Sequence, residues 1–278
     1  MKRLTPLEEA IFNAGERLIP EVTHDLSQLV IHRSAYMFFR KVIESDLAIM
    51  GEQPKPIQIV DLGCGVGHGC YTLSEIPNSH VTGVEHSPES LEYARCHYSR
   101  TSITYQLADL TEFIPAMPEY DYVISRNVFE HIPNGLQLAL STKWRYRLLF
   151  DIPYNEPRGL NPHHVLHGIR EVTFSEFPGV TLFFEDTAGV IYDALHKPPR
   201  PKTVICVCSL PDLPKVGDSQ IGFPLPAWQP GLGLRLRERL RRLENWPEVA
   251  AKRLYRALPE RLRRPLRKWL VLIGVLPR

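Results

Sequence analysis

The stretch QIVDLGCGVGHGCYTL, residues 58–73, decides the fold. With Ile57 before it, Ile59, Val60 and Leu62 form a short apolar run that reads as a buried parallel strand. Gly63, Gly65, Gly67 and Gly69 then alternate with other residues, and a helix is expected to start at about Tyr71. A strand running through glycines into a helix is the entry to a nucleotide pocket, because glycine permits unusual backbone angles and close approach to a ligand.

A dinucleotide loop would read G-x-G-x-x-G. Started at Gly63 it needs glycine where His68 stands, and started at Gly65 it needs glycine where Cys70 stands. The pattern that fits is acidic-x-Gly-x-Gly-x-Gly, with Asp61, Gly63, Gly65 and Gly67 in register. In this the chain resembles the class I S-adenosylmethionine (AdoMet)-dependent methyltransferases of the type 11-like group. The resemblance implies AdoMet as cofactor and these four residues among those that hold it.

The following strand tips extend the resemblance. Val81–Val84 reads as a second strand ended by Glu85, and Ser87-Pro88-Glu89 has the form of a helix start. An acid there can accept both hydroxyls of a ribose, the alternative being a solvated loop acid. ITYQLADL supplies a third strand and Asp109. The resemblance makes Asp109 an acceptor for the adenine amino group and gives the Leu110 backbone the ring edge; a turn cap is the plain alternative. EYDYVISRNVFEHIPN gives a fourth strand tipped by Arg126 and Asn127, then Glu130-His131, similar to the fourth-strand motif of quinone-biosynthesis methyltransferases. By the rule that ligands sit beyond the carboxyl ends of the strands, Asn127 faces the cofactor and His131 the substrate, unless His131 is a packed or capping residue. Upstream, HRSAYMFFR is similar to a helix that covers the cofactor's methionine end in some relatives, through Arg33 and Tyr36; core packing is the alternative for Tyr36.

RYRLLFDIPYNEP reads as a fifth strand, and GVTLFFEDTAGVIYD and KTVICVCSLP as two more. The resemblance implies seven strands with the last antiparallel. Between the fifth and sixth lies PYNEPRGLNPHHVLHGIREVTF, where His163, His164 and His167 crowd near Glu156 and Asn155. A general base for a hydroxyl acceptor would most naturally be a histidine, from His131, His163 or His164. A similar loop occurs in methyltransferases encoded with polysaccharide biosynthesis. A helix reading would put His163 and His167 one turn apart, but the glutamate of the zinc-protease motif is missing, and no metal set is expected.

The net charge of +2 conceals an asymmetry. Residues 234–278 carry fourteen Lys+Arg against four Asp+Glu, which leaves nineteen and twenty-seven before them. Leu236, Leu240, Leu243 and Trp246 form a stripe with arginines opposite, a pattern suited to an anionic membrane surface and less to nucleic acid. The five cysteines are odd in number and form no CxxC pair, and the start of the chain has no apolar run of signal-peptide length; reduced thiols in the cytoplasm are expected.

The sequence thus predicts a doubly wound, seven-stranded, Rossmann-like methyltransferase sheet. Residues 1–50 form a helical lead-in, 51–212 the AdoMet domain, 213–233 a proline-rich linker and 234–278 a basic helical tail. The expected activity is O-methylation of a sugar or lipid-linked saccharide near the inner membrane face. Methylation of a quinone or another lipophilic molecule, and an AdoMet-binding module without catalysis, are the alternatives.

Overall fold

The structure is a computed structural model that describes residues 4–22, 25–51, 53–211, 213, 216 and 221–231. Two helices open it. α1 (Pro6–Asn13) starts on a capping box in which the Thr5 hydroxyl accepts from the Glu8 N–H and the Glu8 carboxylate accepts from the Thr5 N–H. α2 (Leu26–Met50) is capped by Asp25 and ends at Gly51, whose φ of 76° lies in the left-handed region.

Strands and helices then alternate: β1 (Ile57–Leu62), α3 (His68–Leu73), β2 (Ser79–Glu85), α4 (Pro88–His97), β3 (Ile103–Leu107), α5 (Leu110–Ala116), β4 (Tyr120–Arg126), α6 (Gly135–Leu140) and β5 (Trp144–Pro153). The expected start of α3 at Tyr71 moves forward to His68, because Gly67 takes φ +85° and turns the chain into the helix at once. Three more strands follow, β6 (Thr181–Glu185), β7 (Ile191–Tyr192) and β8 (Thr203–Ser209).

The sheet order is β3-β2-β1-β4-β5-β8-β6-β7. The first five strands pair in parallel, and β8 enters antiparallel between β5 and β6. The chain reverses between β1 and β4, so the strand tips converge there on a crevice. Seven strands were expected and eight form. The stretch GVTLFFEDTAGVIYD breaks because Asp186 accepts from the Ala188 and Val190 N–H groups, which folds it into a tight hairpin of β6 and β7.

Period-two alternation divides the apolar residues between the two faces of the sheet. Ile59, Tyr122, Ile124 and Leu149 pack with Phe38, Phe39 and Val42 of α2, while Val60, Leu62, Val123 and Phe150 pack with Phe129, Phe174 and Phe177. The helical lead-in thus contributes α2 to the core on one face of the sheet. The linker expectation is corrected too: Phe223 stacks on Phe183 at 4.9 Å, and Leu225 bridges to Ile191, so residues 221–228 are bound to the body. The basic tail, 234–278, lies outside the described residues. No described helix is long and apolar enough to cross a membrane.

Candidate active site

A cavity of about 790 Å³ opens at the carboxyl ends of β1, β2 and β4. Tyr36, Gly63, Gly65 and Glu85 line one side of it, as the sequence anticipates, and Asp109, Leu110 and Asn127 line another. Two expected residues are not on the wall. Asp61 is fully buried behind it, where its carboxylate accepts from the Tyr36 hydroxyl at 3.2 and 3.1 Å and from the Cys70 thiol at 3.4 Å. Burial pushes the Asp61 carboxyl up to about 7 against the pull of those donors. Gly67 is spent on the start of α3. Gly69, the fourth glycine, serves packing: a Cβ there would meet the Tyr36 ring at 2.1 Å.

Gly65 leaves open space at the cavity wall. Its φ is +54°, and a Cβ would project into open space with nothing within 4 Å. Its N–H donates to Glu85 Oε2 at 3.1 Å. Glu85 Oε1 accepts from the His86 and Ser87 N–H groups at 3.0 and 2.9 Å and from Arg17 at 3.0 Å. Burial opposes ionisation of Glu85, but the His86 ring, whose Nδ1 lies 3.0 Å from Oε1, and the Arg17 charge prevail and hold its carboxyl down at about 2. Oε1 thus faces the His86 and Ser87 N–H groups, Arg17 and the His86 ring, whereas Oε2 meets only the Gly65 N–H and is the oxygen with capacity for a further donor.

Asp109 caps α5 by accepting from the Thr111 N–H and hydroxyl, both at Oδ1, while it also faces the cavity. The plain alternative, a cap, is thus present. Asn127 takes φ +47°, pinned by its N–H donating to Asp151 Oδ1 at 3.0 Å. Its own side-chain Oδ1 is buried and has no partner among the described residues. Beneath it Arg126 pairs with Asp151 and, at 3.5 Å, with Glu185, all three buried. A left-handed Gly65 facing open space, an acid at the ribose end and an orphaned amide oxygen fit a nucleoside cofactor with a charged amino group.

All three expected histidines, His131, His163 and His164, line the cavity. The His131 and His164 rings meet edge to face with centroids 4.8 Å apart. The third, His163, is exposed and contributes its carbonyl, which His131 Nδ1 meets at 3.0 Å. His163 and His167 do not share a helix, because residues 162–168 form no regular structure. His164 Nδ1 is bonded to Glu156, and its Nε2 lies 3.0 Å from Asn161 Nδ2, 3.5 Å from Glu16 and 4.0 Å from Glu130. Glu16 and Arg17 come from the loop after α1 and carried no signal in the sequence.

Residues 59–147 match the family model of a methyltransferase domain. The chain is similar to trans-aconitate 2-methyltransferase of Streptomyces avermitilis, 33% identical over 32% of this chain and 35% of that one. It is also similar to release factor glutamine methyltransferase of Mycolicibacterium smegmatis, 36% identical over 33% of each chain. The chain thus spans about a third of the length of these curated relatives. Among solved structures, the N-terminal domain of EvdMO1 in the presence of SAH and D-fucose is 15% identical, covers 64% of this chain and 83% of that one, and gives a TM-score of 0.47. Strand order, glycine loop and domain match agree that the body carries a class I AdoMet-dependent methyltransferase domain over residues 59–147, with AdoMet as its cofactor.

Proposed function

We propose that this protein methylates an oxygen of a hydroxyl-bearing acceptor, a sugar or a lipid-linked saccharide. The observation that supports this is the pair His131 and His164 on the wall of the same cavity as Gly65, Glu85 and Asn127. AdoMet, when bound, supplies a methyl group on a positively charged sulfur. Gly65 leaves room for it, Glu85 Oε2 accepts from its sugar, and Asn127 Oδ1 accepts from its amino group. His131 and His164 accept the hydroxyl hydrogen of the acceptor and hold its oxygen toward that end of the cavity. Alignment of two held reactants supplies most of the acceleration in such a design. The charge of residues 234–278 supports placing the work at an anionic membrane face.

The test is transfer of labelled methyl from AdoMet by the full chain to a panel of sugar nucleotides, lipid-linked saccharides, quinols and peptides. Base-stable label on a saccharide is expected. Label on quinol or peptide alone would overturn the acceptor class.

A further inference from the structure

We propose that Glu16, His131 and His164 form a binding site for a divalent first-row metal ion at the acceptor side of the cavity. The proposal rests on the acceptor reading above and deepens it: with an ion bound, the two Nε2 atoms hold the metal, and the acceptor oxygen meets the ion in place of the imidazoles. One ligand atom from each residue can be chosen so that all lie within 4.8 Å of one another, and no other such group occurs among the described residues. Atoms bound at about 2.1 Å around one ion stand roughly 3–4 Å apart, so small side-chain movements close the site.

The two imidazoles are set for this. His131 Nδ1 faces the His163 carbonyl, and His164 Nδ1 faces the Glu156 carboxylate. Both oxygens are acceptors, so each Nδ1 carries the hydrogen and each Nε2 a lone pair. An imidazole tied at one nitrogen to an acceptor oxygen, with the other nitrogen free to ligate, is the usual arrangement around protein-bound metals. Asn161 reports the same polarity, because its Nδ2 donates to Glu16 Oε2 at 2.7 Å and lies 3.0 Å from His164 Nε2. One neutral amide thus stands between two acceptors where a cation would satisfy both.

A second observation is independent of the first. Glu130 is 1% exposed, and neither of its carboxylate oxygens has a hydrogen-bond partner among the described residues. Its Oε1 lies 4.0 Å from His164 Nε2. Burying a carboxylate without a partner is costly, and a cation at the cluster supplies one. Imidazole with carboxylate suits Mn, Fe or Zn better than calcium. The remaining positions of the ion face the cavity, where oxygens of the acceptor would ligate.

Full-length protein stripped with chelator would be titrated with Mn²⁺, followed by water-proton relaxation, with AdoMet calorimetry on the same preparations. One saturable Mn²⁺ per chain, displaced by Zn²⁺, is expected. H131A and H164A should each weaken Mn²⁺ at least tenfold while retaining AdoMet binding, which also shows that they fold. H167A, outside the cluster, should bind Mn²⁺ as the wild type does. No saturable Mn²⁺ or Zn²⁺ binding, or undiminished Mn²⁺ binding in both histidine variants, would overturn the site. AdoMet binding without metal sinks only the metal proposal, whereas metal binding without AdoMet supports the site and sinks the transfer reading.

Discussion

Replacing His164 with alanine is expected to lower methyl transfer by about 10²–10⁴-fold, the usual range for removing a group that takes or withdraws a proton. His164 is buried, tied at Nδ1 to Glu156, and turns Nε2 toward Glu16, Glu130 and Asn161. Its loss removes the nitrogen that meets the acceptor, directly or through a metal. The cofactor end, at Gly65, Glu85 and Asn127, is untouched, so AdoMet affinity should change less than about threefold, well under the 1.4 kcal/mol of a tenfold effect. H163A should lose much less, because the role of His163 here is carried by its main-chain carbonyl. Steady-state rates beside AdoMet calorimetry make the comparison. Equal turnover in H164A and wild type would remove His164 from the mechanism.

Asp46→Ala is expected to destabilise the body by about 3–5 kcal/mol, measured by denaturant unfolding of the full chain. Asp46 on α2 receives Arg147 of β5 through two bonds, Nε to Oδ2 at 2.6 Å and a second to Oδ1 at 2.7 Å. Arg147 is the largest fully buried side chain, and Asp46 is 3% exposed. The Tyr122 hydroxyl adds a third donor to Asp46 at 3.3 Å. Removing the carboxylate strips two charge-assisted bonds from a guanidinium in the core, which is where the large cost arises. Replacing both partners by apolar residues, Asp46→Leu with Arg147→Met, should recover most of the loss, because desolvation of the pair is then removed as well. A single variant within about 1 kcal/mol of wild type would show that the pair does not fasten the helix to the sheet.

Much of the fold was legible because the sheet is built from runs whose apolar content survives without context. Ile57–Leu62, most of Tyr120–Arg126 and all of Thr203–Ser209 are buried on both faces, and a residue type suited to its job ends the strands at the cavity. The hairpin at Asp186 was missed: Glu185-Asp186-Thr187 and Gly189 do interrupt the apolar run, but the two bonds that the Asp186 carboxylate accepts from the Ala188 and Val190 N–H groups, which close the turn, appear only in the folded chain. The strap at Phe223 was hidden for the opposite reason: proline-rich composition announces extended backbone but not what that backbone lies against.

The cofactor half of the site was read more fully than the acceptor half. Gly65, Glu85 and Asn127 sit at fixed offsets from strand ends, so spacing locates them. What spacing does not show is that Arg17, far away in the chain, pairs with one oxygen of Glu85. Glu16 joins His131 and His164 only through the folding back of the loop after α1, and no local pattern encodes that. Glu130 was visible as a residue beside His131, but that both its oxygens are buried without partners is a property of packing alone.

Calorimetric titration of the full chain with AdoMet, and separately with NAD, tests the central claim most directly. The account predicts one AdoMet per chain, and weakening by about 2–3 kcal/mol in Glu85→Ala, which loses an ionised acceptor. Gly65→Val should abolish binding, because its side chain would project into the cavity from a left-handed backbone. Binding of NAD with no heat from AdoMet would contradict it.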